Sequence, residues 1–319
     1  MGLPVLVAVT LYAYSILNAE LHTNREDKTH KVNALRIEIN SVMNVARSDV
    51  LVLEQSQELK TYLFKPTLIN EAILHYRFRN FLLAKPFYSQ LRLLDMQGHE
   101  IVRVNRTEKD VVSILNDDLQ DKSHRYYYHA VKDLNVGEVF ISRLDLNIEN
   151  NRIEYPWRPV IRFATPFADR FGNKAGILVA NLNARSLLDE FKVMFNGDSS
   201  YMRMMNDDGY WVFHPDESKS FGFMTGTEKS LKAEDVEAWE FISKNLKGSI
   251  STKRGDYVFS TVNVLSDEVA RFASRDDIDQ WWKVMAFTPR QSMLLGVFEQ
   301  FGLMIFFLPI YLIFAGIFS

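Results

Sequence analysis

Uncharged apolar residues gather at the two ends of the 319-residue chain, in residues 2–17 and 301–318, while polar and apolar positions alternate between them. A bilayer core requires about 20 apolar residues in a helix, and both stretches come close to that length. The first stretch could instead be a cleaved signal peptide or a buried core helix. A signal peptide requires basic residues before its apolar run, and no Lys or Arg precedes this one. We therefore expect transmembrane helices over residues 1–18 and 293–319.

The region after the first apolar stretch has a helical pattern. Neither Gly nor Pro occurs between residues 18 and 64, and apolar side chains recur there at alternating spacings of three and four residues: Val32, Leu35, Ile39, Val42 and Ala46. This spacing places them on one stripe and predicts an uninterrupted stalk helix over residues 19–64. The stripe either packs on its own domain or pairs with a second subunit, and both can hold along one helix.

Short strands with glycine turns follow a second helical stretch at 66–84. Residues 90–94 and 100–104 flank a turn that ends at Gly98, and residues 201–206 and 210–214 flank a turn that ends at Gly209. Such turns use the positive φ that glycine adopts readily. The repetition predicts an α+β fold with two tandem antiparallel-sheet modules, 65–190 and 191–292.

Composition and motifs exclude several classes of function. The chain is 24% charged with a formal net charge of −3, so it has no basic surface typical of nucleic-acid binding. It contains no Cys, which fits an oxidising compartment and rules out disulfides and thiolate metal sites. The His residues lack metal-ligand spacing, and no catalytic fingerprint occurs. We expect no catalytic residue, no metal and no cofactor in these residues.

Four segments carry a family resemblance. Residues 119–130 (LQDKSHRYYYHA), 137–147 (GEVFISRLDLN), 159–166 (PVIRFATP) and 176–182 (GILVANL) resemble the double-Cache, PAS-like sensor domains of bacterial membrane histidine kinases and diguanylate cyclases. The resemblance implies a stalk helix with a membrane-distal module (65–190) and a membrane-proximal module (191–292). It also implies a cytoplasmic effector beyond this sequence. From the lack of Cys and the apolar ends we expect a periplasmic domain anchored in the inner membrane, and we expect a homodimer because signalling across two spans requires relative motion between helices.

The resemblance extends to candidate ligand-binding residues. Arg125, Tyr127 and Tyr128 match the Arg-x-aromatic-Tyr pattern of related amino-acid receptors, in which a guanidinium can hold a carboxylate. Those receptors hold the amine with an acidic residue on the last strand, where this chain has Asn181. The resemblance therefore implies a carboxylate-bearing ligand rather than an α-amino acid. From the residues alone, Arg125 could instead pair with Asp118 or Asp121, and the tyrosines could be ordinary core.

Four further polar residues have open assignments. Arg162 alternates with apolar residues in a strand, so it enters the pocket or covers the outer face of the sheet. Ser142, Asp145 and Asn147 follow a short strand and either contact a ligand or form Asx turns.

Together these patterns predict the small-molecule sensor region of a transmembrane receptor, either a two-component histidine kinase or a diguanylate cyclase. One alternative is the ligand-binding region of a methyl-accepting chemoreceptor. Another is a membrane-tethered interaction domain without signalling output.

Overall fold

The computed structural model describes residues 2–194, 202–263 and 281–290. Within this part of the chain, none of the helices combines the length and apolar character that crossing a bilayer requires. The predicted first span falls in the opening turns of the N-terminal helix, and the predicted second span lies outside the described residues. Both therefore stay predictions, whereas the α+β class with a long N-terminal helix and antiparallel sheets is confirmed.

Three helices open the fold: α1 (Gly2–Glu54), α2 (Gln57–Phe64) and α3 (Leu68–Ala84). The prediction of an uninterrupted helix to residue 64 was wrong, because the helix breaks at Gln55 and Ser56. Ser56 adopts an extended conformation (φ −64°, ψ 142°) and occupies the N-cap position of α2 without a capping bond from its side chain, a position that serine favours over helix interiors. The Thr67 hydroxyl caps α3 by accepting a bond from the Asn70 backbone N–H at 3.2 Å.

The buried face of α1 follows the predicted stripe with one difference. Met43 is buried, whereas the predicted Val42 is only partly buried against the same core. The buried positions recur every three or four residues, as one helix face requires: Val32, Leu35, Ile39, Met43, Ala46, Val50 and Leu53.

The first sheet has seven antiparallel strands. Their spatial order is β3-β2-β1-β9-β8-β4, with β5 also paired to β8. The strands are β1 (Tyr88–Leu94), β2 (Glu100–Arg106), β3 (Val111–Ser113), β4 (Phe140–Ile141), β5 (Asp145–Leu146), β8 (Pro159–Ala168) and β9 (Lys174–Asn183). A separate small hairpin consists of β6 (Ile148–Glu149) and β7 (Arg152–Ile153). Helix α4 (Tyr126–Lys132) covers one face of this sheet.

The second sheet has five antiparallel strands in the order β11-β10-β14-β13-β12. The strands are β10 (Met202–Met205), β11 (Trp211–Phe213), β12 (Lys247–Ser251), β13 (Gly255–Asn263) and β14 (Trp281–Pro289). The remaining helices are α5 (Ala184–Met194), α6 (Gly222–Thr225), α7 (Leu231–Glu234) and α8 (Val236–Lys244).

Both predicted hairpins are confirmed. β1 pairs with β2 across Gly98 at φ 93°, and β10 pairs with β11 across Gly209 at φ 85°. In each sheet the first strand of the hairpin also pairs with a later closing strand, β9 or β14. The two sheets thus share one local topology, although the boundaries of two modules at residue 190 remain a prediction.

Each sheet has two differently covered faces. One apolar cluster joins α1 to a face of both sheets and includes Leu35, Ile161 and Val284. A second cluster lies under α4 and contains Tyr127 and Val179. A third lies beside α7 and α8 and contains Trp211, Tyr257 and Phe287 on the second sheet. We call the last two surfaces the α4 face and the α8 face.

Candidate functional site

A row of polar side chains crosses the α4 face of the first sheet. The strand register aligns Asn105, Gln90, Asn181 and Arg162 on β2, β1, β9 and β8. The side-chain amide of Gln90 donates to the side-chain oxygen Oδ1 of Asn105 at 2.8 Å. The side-chain amide of Asn181 donates to the side-chain oxygen Oε1 of Gln90, also at 2.8 Å. Buried polar groups are costly unless they are bonded, so this row marks a polar site inside an otherwise apolar sheet.

Arg162 is the centre of one half of the site. Its guanidinium donates to the Asp145 carboxylate at 2.6 Å and to the side-chain oxygen Oδ1 of Asn147 at 3.3 Å. The Tyr126 hydroxyl donates to the other Asp145 oxygen at 2.7 Å, and the Ser142 hydroxyl accepts from the Arg162 backbone at 2.9 Å. Burial alone would lower the pKa of Arg162, but Asp145 together with Tyr126 and Tyr127 outweighs burial and raises that pKa. Arg162 therefore stays charged although it is 2% exposed.

Arg92 is the centre of the other half. Its guanidinium lies 3.0 Å from Glu149 and 3.3 Å from Glu100, and donates to the Tyr127 hydroxyl at 3.1 Å. The register sets Arg103 directly opposite Arg92, and Glu100 separates these like charges by contacting Arg103 at 2.8 Å. A buried carboxylate between two guanidinium groups compensates a repulsion that would otherwise destabilise the pair.

Glu149 is carried into the site by the β6–β7 hairpin. The turn of this hairpin, Asn150 and Asn151, has positive φ at both residues (49° and 59°), as a type I′ turn requires. Burial would raise the pKa of Glu149, but Arg92 and Lys122 beside it outweigh burial and lower that pKa to about 2. Lys122 reaches the carboxylate at 3.1 Å. The hairpin thus supplies a charge that covers the cluster.

The cluster has an excess of positive charge. Four buried cations face three carboxylates, which leaves one net positive charge: Arg92, Arg103, Lys122 and Arg162 against Glu100, Asp145 and Glu149. Electrostatic interactions are stronger in such a low-dielectric interior than in water. The site is therefore suited to an additional anionic group.

The structure brings most of the predicted site residues together. Tyr127, Ser142, Asp145, Asn147, Arg162 and Asn181 all belong to the cluster on the α4 face. The side chain of Arg162 is buried on the α4 face, 5.3 Å from the Tyr127 ring, and its contact with a ligand stays a prediction.

Arg125 and Tyr128 lie at the edge of this cluster. Arg125 is the residue before α4, and its guanidinium lies 5.9 Å from the centre of the Tyr127 ring. Within the described ranges, neither Asp118 nor Asp121 forms an ion pair with it. The Tyr128 hydroxyl donates to the backbone oxygen of Met96 at 2.7 Å, so Tyr128 ties α4 to the β1–β2 turn.

Seven cluster residues were not predicted: Gln90, Arg92, Glu100, Arg103, Lys122, Tyr126 and Glu149. Arg92 and Arg103 had the same signal as Arg162, a charge alternating with apolar residues within a strand. Lys122 and Glu149 had no such signal, because a loop carries Lys122 and a two-residue strand of a separate hairpin carries Glu149. For the described residues, no three His, Asp or Glu side chains are grouped so that they could hold a metal ion.

The fold is that of known extracytoplasmic sensor domains. The chain is similar to the extracellular domain of a protein described as a histidine kinase, vpHK1S-Z8, at 19% identity and a TM-score of 0.75, over 88% of this chain and 96% of that one. A domain of a sensory box/GGDEF family protein from Vibrio parahaemolyticus shares 19% identity with a TM-score of 0.74, over 85% and 98%. The ligand-binding domain of the Campylobacter jejuni chemoreceptor Tlp3, solved with L-valine, shares 10% identity with a TM-score of 0.55, over 87% and 97%.

The sequence identifies the family directly. The model of the bacterial histidine kinase sensor domain matches residues 26–272, so the chain belongs to that family. No curated protein matches it in sequence. The predicted sensor function is confirmed at this level: the chain is the extracytoplasmic sensor region of a signalling receptor, and its relatives are input domains rather than catalytic ones.

Proposed function

We propose that this sensor binds a small carboxylate-bearing molecule at the α4 face of residues 65–190, the membrane-distal module. The observation that carries the proposal is the buried cluster with one net positive charge, centred on Arg92 and Arg162. A guanidinium can hold a carboxylate through two parallel hydrogen bonds, and an anionic ligand would neutralise the excess charge. The polar row with Gln90 and Asn181 offers further hydrogen-bonding groups.

Ligand entry requires part of the cluster to open, because Arg92 and Arg162 are each 2% exposed. The β6–β7 hairpin is the element best suited to move. It forms its own two-stranded sheet, and Glu149 holds it to Arg92 and Lys122. A ligand carboxylate bound to Arg92 would add a negative charge beside Glu149 and so weaken the contacts that hold the hairpin. Occupancy would then be coupled to the position of this hairpin.

An amino-acid ligand is the second candidate, and Asp145 favours it. Position 181 is Asn rather than an acidic residue. Asp145, however, places a buried carboxylate 2.6 Å from Arg162 and 2.7 Å from the Tyr126 hydroxyl. That carboxylate could accept an ammonium group. Chemoreceptor domains of the same fold were solved with L-valine and L-alanine, respectively at 10% and 12% identity.

Matched ligand pairs test the two candidates. Isothermal titration of the purified chain with L-valine and isovalerate, and with L-alanine and propionate, compares molecules that differ only in the amine. Tighter binding of the acids without the amine supports a carboxylate sensor, and tighter binding of the amino acids supports the second candidate. Absence of binding by any small carboxylate or amino acid would contradict both.

Two variants test the location of the site. We expect Arg125→Ala to lose ligand binding without loss of folding, because Arg125 is half-buried and lies 5.9 Å from the Tyr127 ring at the edge of the cluster. Arg170→Ala is the matched control, since Arg170 is exposed and likewise stacks on an aromatic ring, that of Phe171, at 4.5 Å. Wild-type affinity in Arg125→Ala would refute the assignment of Arg125.

We further propose that the receptor is an inner-membrane homodimer with transmembrane helices at residues 1–18 and 293–319. Support comes from α1, where Ile37, Val45 and Val52 are 60%, 45% and 61% exposed at spacings of eight and seven residues. Such a seam is typical of paired helices. Because the chain has no Cys, Val45→Cys in membranes should form a disulfide-linked dimer, whereas Thr29→Cys on another side of α1 should not. Equal cross-linking of both variants would contradict pairing along this seam.

We propose that the proximal module, residues 191–292, links the distal module to the second span, and that the cytoplasmic effector is a histidine kinase or a diguanylate cyclase. The family match favours the kinase. A methyl-accepting domain in the sequence downstream would instead identify a chemoreceptor. No catalytic role is proposed for the residues present here.

A further inference from the structure

A second charged cavity lies on the α8 face of the second sheet. It has a volume of about 300 Å³ and is lined by residues from β10, β13 and β14 and from the turn before β13. This volume is at the lower end of the range for small-molecule sites. The cavity belongs to a different sheet from the cluster around Arg92 and Arg162, so neither site depends on the other for its lining.

The charges of this cavity are strongly unbalanced. Five cations and one carboxylate line it: Arg203, Lys219, Lys253, Arg254 and Arg290 with Glu234. Lys219 contacts Glu234 at 2.7 Å, and Arg203 approaches the same carboxylate at 3.9 Å. One carboxylate is therefore shared between two of the cations.

The other three cations have no such partner in the described part of the chain. No carboxylate described there lies within 4 Å of Lys253, Arg254 or Arg290. Their side chains lie on two adjoining segments, because the Arg290 backbone N–H donates to the Arg254 carbonyl at 3.0 Å. Like charges gathered in this way repel one another unless an anion is bound between them.

The inner wall of the cavity holds a guanidinium in place. Arg203 stacks 3.9 Å from the Phe287 ring centre, and the Tyr257 and Phe287 rings lie 4.6 Å apart. The Arg203 Nε is buried and has no hydrogen-bond partner among the residues that the structure describes. Burial, together with the nearby Arg254, lowers the pKa of Arg203 although Tyr257 and Glu234 oppose this. A bound oxyanion would supply both a hydrogen-bond acceptor and the compensating charge.

We infer that this cavity binds a small oxyanion with two or more negative charges, such as a phosphate or a polycarboxylate. Charge-assisted hydrogen bonds from several guanidinium groups favour multiply charged oxyanions over monovalent ions. An anion there would connect the turn at Arg254 to the end of β14 at Arg290, where the chain continues toward residues 291–319.

Isothermal titration of the purified chain with inorganic phosphate and with citrate, at constant ionic strength set with sodium chloride, tests this inference. The double variant Lys253→Gln with Arg254→Gln removes two exposed cations of the cavity, and we expect binding to weaken at least tenfold. The matched control, Lys244→Gln with Lys247→Gln, removes two exposed charges from the same sheet region outside the cavity and should change affinity less than twofold.

Two results would overturn the inference: absence of binding by both phosphate and citrate, or an equal loss of affinity in the two double variants. The Arg125→Ala variant distinguishes this cavity from the proposed site of the first sheet. Phosphate or citrate binding that survives in Arg125→Ala supports the second cavity, whereas loss there would assign the anion to the first sheet instead.

Discussion

Substitution of Glu149 by Gln tests whether the charge cluster contributes to stability as its geometry implies. Glu149 lies 3.0 Å from Arg92 and 3.1 Å from Lys122, and its side chain is 22% exposed. Gln keeps the size and part of the hydrogen bonding of Glu but removes the charge. Arg92 and Lys122 would then lose one of their counter-charges in a buried setting, which is costly.

The magnitude follows from the pKa of Glu149. That pKa falls from its ordinary value of 4.5 to about 2 in the folded chain, and a tenfold change in proton affinity is worth about 1.4 kcal/mol, so the charge contributes about 3 kcal/mol at neutral pH. Because the folded pKa is depressed, this contribution is complete above pH 4.5 and is lost as the pH falls toward 2. Linkage gives a loss of about 2 kcal/mol between pH 7 and pH 3.

Urea unfolding of the wild type and Glu149→Gln at pH 7 and pH 3, followed by tryptophan fluorescence, measures this loss. We expect the difference in unfolding free energy between the two proteins to shrink by about 2 kcal/mol at the lower pH. Glu240→Gln, at an exposed position of α8, should show a small difference that does not change with pH. A difference for Glu149→Gln that is the same at both pH values would refute the reasoning.

Three further predictions concern single contacts. Tyr126→Phe removes the bond to Asp145 and should lower the unfolding free energy by about 1 kcal/mol; an unchanged melting temperature would count against that bond. Burial, together with Arg203 and Lys219, lowers the pKa of His214 to about 4, so its contribution to stability is complete above pH 6.5 and is lost progressively as the pH falls toward 4; His214→Gln should reduce the loss of stability between pH 7 and 5 by about 2 kcal/mol, measured by urea unfolding. Gly209→Ala would place a methyl group 2.7 Å from the Trp239 ring at φ 85° and should cost about 1–3 kcal/mol more than Gly172→Ala, where φ is also 85° and nothing lies within 4 Å; equal melting temperatures would contradict this.

Local signals in the sequence predicted the elements whose structure is set locally. The two glycine turns at Gly98 and Gly209 predicted both hairpins, and the apolar stripe predicted the buried face of α1. The break at Ser56 was not predictable from Gly or Pro, because a serine that can cap a helix looks the same as one inside it. Such choices depend on tertiary packing rather than on local preference.

The candidate site was predicted only in part, for a similar reason. Arg162 carried a local signal, but whether it entered the site depended on which face of the sheet α4 covers. Glu149 meets Arg92 and Lys122 across separations of 57 and 27 residues in sequence, and that proximity exists only after the chain has folded. Charges that compensate each other at long range leave no periodicity along the sequence.

The separation of the two faces of each sheet has an evolutionary consequence. Side chains that pack on α1 and side chains on the α4 and α8 faces belong to different apolar clusters, although they alternate along the same strands. Substitutions at every second position can therefore remodel what a sheet recognises while the contacts with the helix are retained. A lineage could acquire a new stimulus by drift on one face and keep its inherited output on the other.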